Sequence, residues 1–411
     1  MAFDTGDTAW MLVCTALVLL MSPGLAIFYA GMVRAKNALA MLMYSFGALA
    51  VISVTWTLIG FSLAFGKDAG SGLIGGLDFA GLRHINDAGA FSFDFPPAAF
   101  VMFQMMFAVV TGALITGAGA DRMKFGSLLV FLALWSVFVY PVLAHWAWSS
   151  DGWMAKWGVL DFAGGTVVEI CSGASALALA AVLGRRKGWP HELMQPHNLP
   201  LTILGAGLLW FGWIGFNAGS ALSAGADAAS AALGTHLSGV GGILGWLLVE
   251  RWRVGKPTAL GAATGAVGGL VAITPAAGFL DPLPALLLGV VAGAACFWGL
   301  RLKFRLKVDD SLDVLAVHYV GGVVGMLFVG LLGRALLAKD GAVVGLLNGG
   351  GAGQLGKQAV AVLAASAFAF AVSYVLARIV RATMGLRVSD KHEYDGLDYT
   401  QHGESAYEIV N

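Results

Sequence analysis

The sequence predicts an all-α membrane protein with eleven transmembrane helices, arranged as an inverted five-helix repeat plus one extra helix. Three observations support this fold class: the composition, the spacing of the apolar stretches and the placement of the basic residues. Of 411 residues, 58% are hydrophobic and only 12% are charged, and the mean hydropathy is +0.80. A water-soluble globule of this length needs more polar surface, so the chain is expected to lie in a lipid bilayer.

Apolar stretches of about 20 residues, the length that crosses a bilayer core of roughly 30 Å as a helix, recur along the whole chain. The shortest covers residues 259–275. No cleavable signal peptide is predicted, because acidic Asp4 and Asp7 precede the first stretch in place of a basic segment. The predicted spans are residues 8–31, 38–65, 98–119, 125–146, 162–183, 199–219, 228–249, 259–275, 284–302, 314–332 and 359–380.

The Lys and Arg residues are distributed unequally between alternate connections. Eighteen of the 24 fall in one set of connections and in the C-terminal tail. The opposite set holds only six: Lys67, Arg83, Lys156, Arg334, Lys339 and Lys357. Because basic residues accumulate on the cytoplasmic side, the N-terminus is predicted outside and the tail in the cytoplasm, in a bacterial inner membrane.

Residues 1–384 are expected to form the transmembrane domain and residues 385–411 a cytoplasmic regulatory tail. The repeats are placed at about residues 8–184 and 199–333, and the extra helix at about 359–381. Within the spans, many of the 58 glycines are expected to allow close packing of helix backbones.

Composition and motifs argue against several function classes. The net charge is zero, so nucleic-acid binding is not expected. The three cysteines, Cys14, Cys171 and Cys296, match no metal or disulfide spacing and are expected to be small core residues; neither a metal nor a cofactor is predicted. An intramembrane enzyme lacks support, because there is no HExxH motif, nucleophile elbow or metal-ligand cluster.

Ionisable side chains inside the spans mark the candidate site, because each costs a few kcal/mol at membrane depth. Glu169 follows Asp161 by eight residues, and His318 follows Asp310 by eight residues. At 1.5 Å per residue each side chain lies about 12 Å along its helix, close to the middle of the bilayer. The two spans enter from opposite faces, so Glu169 and His318 are predicted to meet at the interface of the two repeats.

Two interpretations of this pair stay open on the residues alone. A carboxylate and an imidazole in contact form a coupled pair that can hold and pass a proton. Alternatively, they form a buried hydrogen bond that only fixes helix packing. Asp161 itself is expected to cap its helix by accepting hydrogen bonds from backbone amides, while its charge attracts cations to the outer side. His236, also within a span, has no assigned role, and ordinary packing is expected.

Several long segments, in order along the chain, resemble the Amt/Mep/Rh ammonium transporter family, and in particular a bacterial Amt. The segments are PGLAIFYAGMVRAKN at 23–37, DFAGGTVVE at 161–169, PHNLP at 196–200, GWIGFNAGS at 212–220, GLVAITPAAG at 269–278, VDDSLDVLAVH at 308–318 and GLRVSDKHEYDGLDYTQHGESAY at 385–407. The resemblance covers essentially the whole chain and implies a homotrimer of eleven-helix protomers, each with its own pore, serving nitrogen uptake.

The resemblance also implies roles for aromatic residues that spacing alone assigns to the interfacial aromatic belt. Phe107, Trp148 and Ser220 match an outer ammonium site near Asp161, where Trp148 attracts the cation and Ser220 accepts a hydrogen bond. Phe107 and Phe216 match a stacked gate beneath it. Phe103 lies on the same span as Phe107.

One pore position departs from the bacterial pattern. His318 matches one member of a histidine pair, but Glu169 stands where most bacterial Amt proteins have the other histidine; some fungal Mep transporters are similar in carrying Glu there. An ionised Glu169 favours a protonated His318. The expected mechanism is that ammonium is deprotonated near the gate, ammonia crosses the apolar pore, and the proton follows through Glu169 and His318.

Two rival functions and one partner follow from the same resemblance. Some relatives are non-transporting ammonium sensors, which often carry an output domain; the sequence ends at Asn411, so a transporter is expected. The second rival is a neutral ammonia channel of Rh type, against which Trp148 and the outer aromatic site favour a charged substrate. The tail resembles the family segment that contacts a PII signalling protein.

Overall fold

The computed structural model describes residues 3–334 and 345–407. Within these residues, ten helices are long and apolar enough to cross a membrane, and one shorter apolar helix lies among them. Lys339, counted above among the outer basic residues, and residues 408–411 of the predicted tail lie outside the described ranges. In chain order the helices are α1 Thr5–Met32, α2 Ala35–Phe65, α3 Pro97–Gly119, α4 Phe125–Trp157, α5 Gly165–Leu183, α6 Leu199–Gly219, α7 Ala226–Val254, α8 Ala259–Ile273, α9 Pro282–Leu306, α10 Leu315–Leu332 and α11 Ala352–Thr383.

The shortest crossing, α8, has 15 residues and stops two residues before the predicted end of its span. A helix of that length covers about 22 Å, which is less than the bilayer core. The chain continues through buried turns, and the carbonyl oxygens of Thr274 and Pro275 accept hydrogen bonds from the amides of Ala163 and Phe162, both at 3.1 Å. Irregular backbone is tolerated at membrane depth where protein surrounds it.

Side-chain caps fix the starts of several spans. Asp4 accepts a hydrogen bond from the amide of Asp7 at 2.8 Å at the start of α1. Asn198 accepts one from Leu201 at 3.0 Å before α6, and Thr258 does the same for Gly261 at 2.9 Å before α8. These caps satisfy amides that the first helical turn leaves without partners.

Small residues bring α7 and α9 into close contact. A Cβ atom on Gly245 would lie 2.0 Å from the carbonyl oxygen of Val290, and one on Gly289 would lie 2.1 Å from that of Ser238. No larger side chain fits at either position without moving the backbone. This confirms, for this helix pair, the close packing expected from the glycine content.

The fifth and tenth spans share a local irregularity. α5 begins with a π-helical turn at Gly165–Ile170, and α10 begins with another at Leu315–Tyr319. The two turns contact each other. This correspondence agrees with the predicted inverted repeat, although the domain boundaries remain a prediction.

A buried charge network ties the ends of the spans together on the side predicted to be cytoplasmic. Arg186 pairs with Asp309 at 2.9 Å and with Asp121 at 3.2 Å. Arg122, which is fully buried, donates to the carbonyl oxygen of Asp309 at 2.7 Å. Burial raises the pKa of Asp309, but the neighbouring Arg186 and Arg122 outweigh that effect and hold it below its ordinary value of 3.8. From the sequence, Arg122 and Arg186 were counted only as basic residues of the connections between spans. Their burial is seen only in the structure.

The described part of the tail, residues 385–407, packs against the same side. The amide of Leu397 donates to Asn37 Oδ1 at 2.8 Å, and Asp398 accepts hydrogen bonds from the amides of Leu39 and Ala40 at 3.1 and 2.8 Å. Asp398 therefore supplies a carboxylate to the first turn of α2, so the tail is bound to the membrane domain.

Candidate transport path

Glu169 and His318 are in contact in the middle of the protein. His318 Nδ1 and Glu169 Oε2 are 2.7 Å apart, and the two residues are 0% and 4% exposed. Each lies in the π-helical turn that begins its span, and such turns are frequent at functional sites. The convergence predicted from the equal spacing in the sequence is present in the structure. Among the residues that the structure describes, Glu169 Oε1 has no hydrogen-bond partner.

The pair borders a narrow chamber with otherwise apolar walls. The chamber has a volume of about 10 Å³, which is room for about one water-sized particle. Trp213 lines the chamber with its ring, but its N–H is already bonded, because Nε1 donates to Thr274 Oγ1 at 2.9 Å. The lining residues are Met21, Leu25, Phe28, Val110, Leu114, Val168, Glu169, Leu209, Trp213, Phe216, Val267 and His318.

Phe107 and Phe216 close the chamber at one end. Their rings are stacked with centroids 3.9 Å apart and an angle of 21° between the planes, and both are buried. Phe216 lines the chamber, while Phe107 meets Trp148 edge to face at 5.8 Å. Since Trp148 lines the cavity described next, the stacked rings lie between the two spaces.

The second space, here called the outer cavity after the predicted orientation, has a volume of about 510 Å³. Trp148, Ser220, Gln104 and Phe162 are among its lining residues. The Trp148 ring is fixed because its Nε1 donates to the carbonyl oxygen of Asp161 at 3.1 Å. Trp148, predicted in the loop after the fourth span, is instead the last residue of the helical segment Tyr140–Trp148.

Ser220 offers a hydrogen-bond acceptor to the outer cavity, which Gln104 also lines. Ser220 donates its hydroxyl hydrogen to the carbonyl oxygen of Phe216 at 2.8 Å, so its oxygen lone pairs remain available. Gln104 is buried, and its Oε1 has no partner within residues 3–334 and 345–407. Sequence reasoning missed Gln104, although an amide inside an apolar span one turn from Phe107 is a detectable signal.

Asp161 caps α5, as the sequence predicts. Its Oδ1 accepts from the amides of Gly164 and Gly165 at 2.9 and 2.5 Å, and its Oδ2 accepts from the amide of Thr166 at 2.8 Å. Oδ2 also accepts from the Thr166 hydroxyl. Asp161 is not among the side chains that line the outer cavity. Its contacts favour a role in positioning the start of the span over direct contact with a ligand.

The remaining candidate residues lie away from the path. His236 is exposed on the surface of α7, and its ring packs against Trp210 with centroids 5.4 Å apart. Cys14, Cys171 and Cys296 are unpaired and buried, as expected for core residues. Among residues 3–334 and 345–407, no group of three or more His, Cys, Asp or Glu side chains is placed to hold a metal ion.

The fold and these two spaces define a multi-pass membrane protein with a narrow, largely apolar chamber at its centre, closed at one end by stacked aromatic rings. The chain belongs to the Ammonium Transporter Family, whose model matches residues 9–407. This finding confirms the resemblance drawn from the sequence segments.

Relatives from distant organisms match over nearly the full length. An ammonium transporter of Mycobacterium tuberculosis is 47% identical over 99% of this chain and 91% of its own length. One of Bacillus subtilis is 47% identical, with 98% of both chains covered. Among solved structures, Mep2 of Saccharomyces cerevisiae is 38% identical, with a TM-score of 0.87 over 95% of this chain and 88% of its own. A structure described as a sensor Amt protein is 30% identical, with a TM-score of 0.88 and coverage of 97% and 98%.

Proposed function

We propose that the protein carries ammonium across the membrane by dividing it at the gate: ammonia crosses the apolar chamber, and the proton passes along Glu169 and His318 in the chamber wall. The observation that supports this most directly is the order of the parts. An aromatic cavity with a hydrogen-bond acceptor is followed by the stacked Phe107 and Phe216, then by a chamber of about 10 Å³, and the chamber contains a carboxylate in contact with an imidazole.

Recruitment takes place in the outer cavity. The face of Trp148 attracts a cation, and Ser220 Oγ accepts an N–H hydrogen bond from it. This acceptor favours ammonium over potassium, because potassium has no N–H to donate.

Passage through the chamber requires a neutral species. Moving an unpaired ion into a dry apolar space costs several kcal/mol, and the chamber has no room for a hydration shell. Ammonium therefore divides at the gate into ammonia and a proton. Ammonia crosses between apolar walls that offer it little resistance.

Glu169 and His318 carry the proton. The carboxylate accepts it, and the imidazole in contact at 2.7 Å receives it and releases it toward the other side. The proton and ammonia recombine after the chamber, so the sum of the steps is transfer of one ammonium ion and one positive charge.

The test is electrical current from purified protein in liposomes on a solid-supported membrane. An ammonium pulse is compared with a potassium pulse, for the unaltered protein and for Glu169→Gln, whose amide cannot take up a proton. We expect an ammonium-specific current that falls on the order of 100-fold in the variant. The matched control is Glu250→Gln, another buried glutamate, which bonds Thr258 and leaves the current intact. Unchanged current and selectivity in Glu169→Gln would refute the relay.

Two alternatives have distinct outcomes. A sensor is favoured by the likeness to the sensor Amt structure, and it gives ammonium binding with neither current nor uptake from folded protein. A neutral ammonia channel gives uptake without current. Neither outcome is compatible with coupled movement of charge and ammonia.

Assembly as a homotrimer is also part of the proposal. Large apolar side chains on α6 and α7, including Phe211 at 60% and Leu248 at 65% exposure, give the protomer apolar surface for contact with copies or lipid. Native mass measurement of the purified protein should give three chains per particle, and a monomer would contradict this arrangement.

The membrane placement and the regulatory partner complete the proposal. We place the protein in a bacterial inner membrane, with the N-terminus outside, residues 1–384 as the transmembrane domain and residues 385–411 as the cytoplasmic tail.

A PII signalling protein is proposed to bind at this tail. Purified PII protein should bind in at least one adenine-nucleotide condition; failure in all of them would remove this partner.

A further inference from the structure

The outer end of α4 is a separate helical segment. Helical geometry runs over Phe125–Phe138 and resumes at Tyr140–Trp148, with Val139 between the two parts. Pro141, in the first turn of the second part, has no N–H to bond the carbonyl group four residues earlier. The first part of α4 therefore fixes the direction of this outer segment only weakly, yet the segment ends at Trp148, which lines the outer cavity.

The connection after α2 folds into a tight turn at residues 68–75, here called the outer clasp. Its ends pair as a bridge between Asp68 and Gly75. Asp68 Oδ1 accepts hydrogen bonds from the amides of Gly70 and Gly72 at 3.3 and 2.7 Å. The bond from Gly72 does most to hold the pKa of Asp68 below its ordinary value of 3.8, so Asp68 is an ionised acceptor.

The outer clasp is fastened to the outer end of α4. Trp146 Nε1 donates to the carbonyl oxygen of Leu73 at 2.9 Å, and the amide of Trp153 donates to the carbonyl oxygen of Gly72 at 3.1 Å. These two bonds lie on either side of Trp148 in the chain. They hold the backbone that carries the Trp148 ring.

His145 adds a third fastening through both of its ring nitrogens. The residue is fully buried. Nδ1 is 2.9 Å from the carbonyl oxygen of Ala64, near the outer end of α2, and Nε2 is 3.3 Å from Asp68 Oδ1. Both partners are acceptors, so both bonds form when each nitrogen carries a hydrogen, and the imidazole is then positively charged. Asp68 supplies the opposite charge, and removing one partner of a buried pair leaves the other uncompensated.

We propose that His145 and Asp68 are positioning residues for ammonium recruitment, which hold the outer segment of α4 so that the Trp148 ring stays at the wall of the outer cavity. The Nε1 bond to the carbonyl oxygen of Asp161 fixes one edge of that ring, and the outer clasp fixes the backbone beneath it. The inference rests on the proposed function, in which Trp148 attracts ammonium. A loosened backbone weakens ammonium binding and leaves the steps in the chamber unchanged.

The first test separates affinity from turnover in the current assay. His145→Ala should raise the half-saturating ammonium concentration about tenfold and change the maximal current less than about twofold. Asp68→Asn keeps an oxygen for the amides of the clasp but loses the charge opposite His145, so a smaller rise of about threefold is expected. The matched control is Asp87→Asn, which removes the carboxylate from an exposed pair with His84 at 2.8 Å in the same connection. It should change neither value.

A double-variant cycle shows whether His145 acts through Trp148. In a Trp148→Leu background, His145→Ala should raise the half-saturating concentration no further, because the ring that it positions is gone. Equal rises with and without Trp148 would overturn the proposal. So would an unchanged half-saturating concentration in both His145→Ala and Asp68→Asn, or a loss confined to the maximal current.

Amide hydrogen exchange tests the clasp separately from transport. Exchange at residues 70–73 and 145–153 should be faster in His145→Ala and Asp68→Asn than in the unaltered protein. Unchanged exchange in α7 shows that each variant is folded. Absence of an ammonium current in the unaltered protein would refute the proposed function, and unchanged exchange at the clasp would refute the present inference in either case.

Discussion

The starts of α5 and α10 are built on one pattern but are held in place differently. In each, an aspartate lies eight residues before one member of the central Glu169 and His318 pair and accepts a hydrogen bond from an amide five residues further on. Asp161 accepts from Thr166 at 2.8 Å, and Asp310 accepts from Leu315 at 2.7 Å. Asp161 has partners on both oxygens, whereas Asp310 Oδ1 has none in the part of the chain that the structure describes.

The difference is compensated by charge. The residue before Asp310 is Asp309, which bonds Arg186 through both oxygens at 2.9 Å, and Asp313 pairs with Lys303 at 2.7 Å. The start of α5 is thus positioned mainly by backbone hydrogen bonds to one carboxylate. The start of α10 is positioned mainly by ion pairs with neighbouring segments. One local pattern can therefore be stabilised by two kinds of interaction.

Breaking the ion pairs beside α10 should have the largest effect. Asp309→Asn removes the carboxylate that bonds Arg186 through both oxygens and leaves Arg186 with its longer pair to Asp121 at 3.2 Å. Removing one partner of a buried ion pair costs about 3 kcal/mol or more. Thermal denaturation in detergent should show a clear loss of stability. The control Asp390→Asn breaks an exposed pair with Lys187 and should cost at most about 0.5 kcal/mol. Equal melting of the two variants would contradict the account.

Removing the aspartate cap should destabilise the protein more at the start of α5 than at the start of α10. Asp161→Ala leaves three amides without their acceptor and should cost about 2 kcal/mol or more. Asp310→Ala removes an acceptor that serves the amide of Leu315 and should cost about 1 kcal/mol. The same thermal denaturation assay measures both losses of stability. A larger loss in Asp310→Ala than in Asp161→Ala would contradict the stronger role of the Asp161 cap.

Ser220, the hydrogen-bond acceptor in the outer cavity, should contribute to the affinity for ammonium but not to the stability of the fold. Ser220→Ala removes the oxygen offered to ammonium, so the half-saturating ammonium concentration of the current should rise about tenfold, with no loss of thermal stability beyond about 0.5 kcal/mol. Ser223→Ala, which changes a serine that does not line the cavity, is the control. If both variants keep the original affinity, Ser220 is not a ligand.

Acid should weaken the ion pairs beside the start of α10 through protonation of Asp309. The folded-state pKa of Asp309 is below its ordinary value of 3.8, because Arg186 and Arg122 outweigh the effect of burial. Its contribution to stability is therefore present above the unfolded pKa and is lost as pH falls through the lower folded pKa. Melting temperatures measured between about pH 5 and pH 3 should decline less steeply in Asp309→Asn. An identical slope would contradict this assignment.

The sequence was informative where a local pattern carries the information. Equal spacing from Asp161 to Glu169 and from Asp310 to His318 predicted the contact at the centre, and the position of Asp161 before its span predicted the cap. Arg122, Arg186 and Gln104 were not recognised. Their burial depends on contacts with segments far away in the chain, such as Asp309 for Arg186, and a count of loop charges does not register such partners.

Charge and ammonia measured together test the central claim most directly. Liposomes containing the purified protein receive an ammonium pulse, and the transferred charge is compared with the ammonia taken up, for the unaltered protein and for Glu169→Gln. If ammonium is carried as ammonia plus a relayed proton, the two amounts are equal in the unaltered protein and the transferred charge is lost in the variant. Uptake of ammonia without charge in the unaltered protein, or equal charge and uptake in Glu169→Gln, would contradict it.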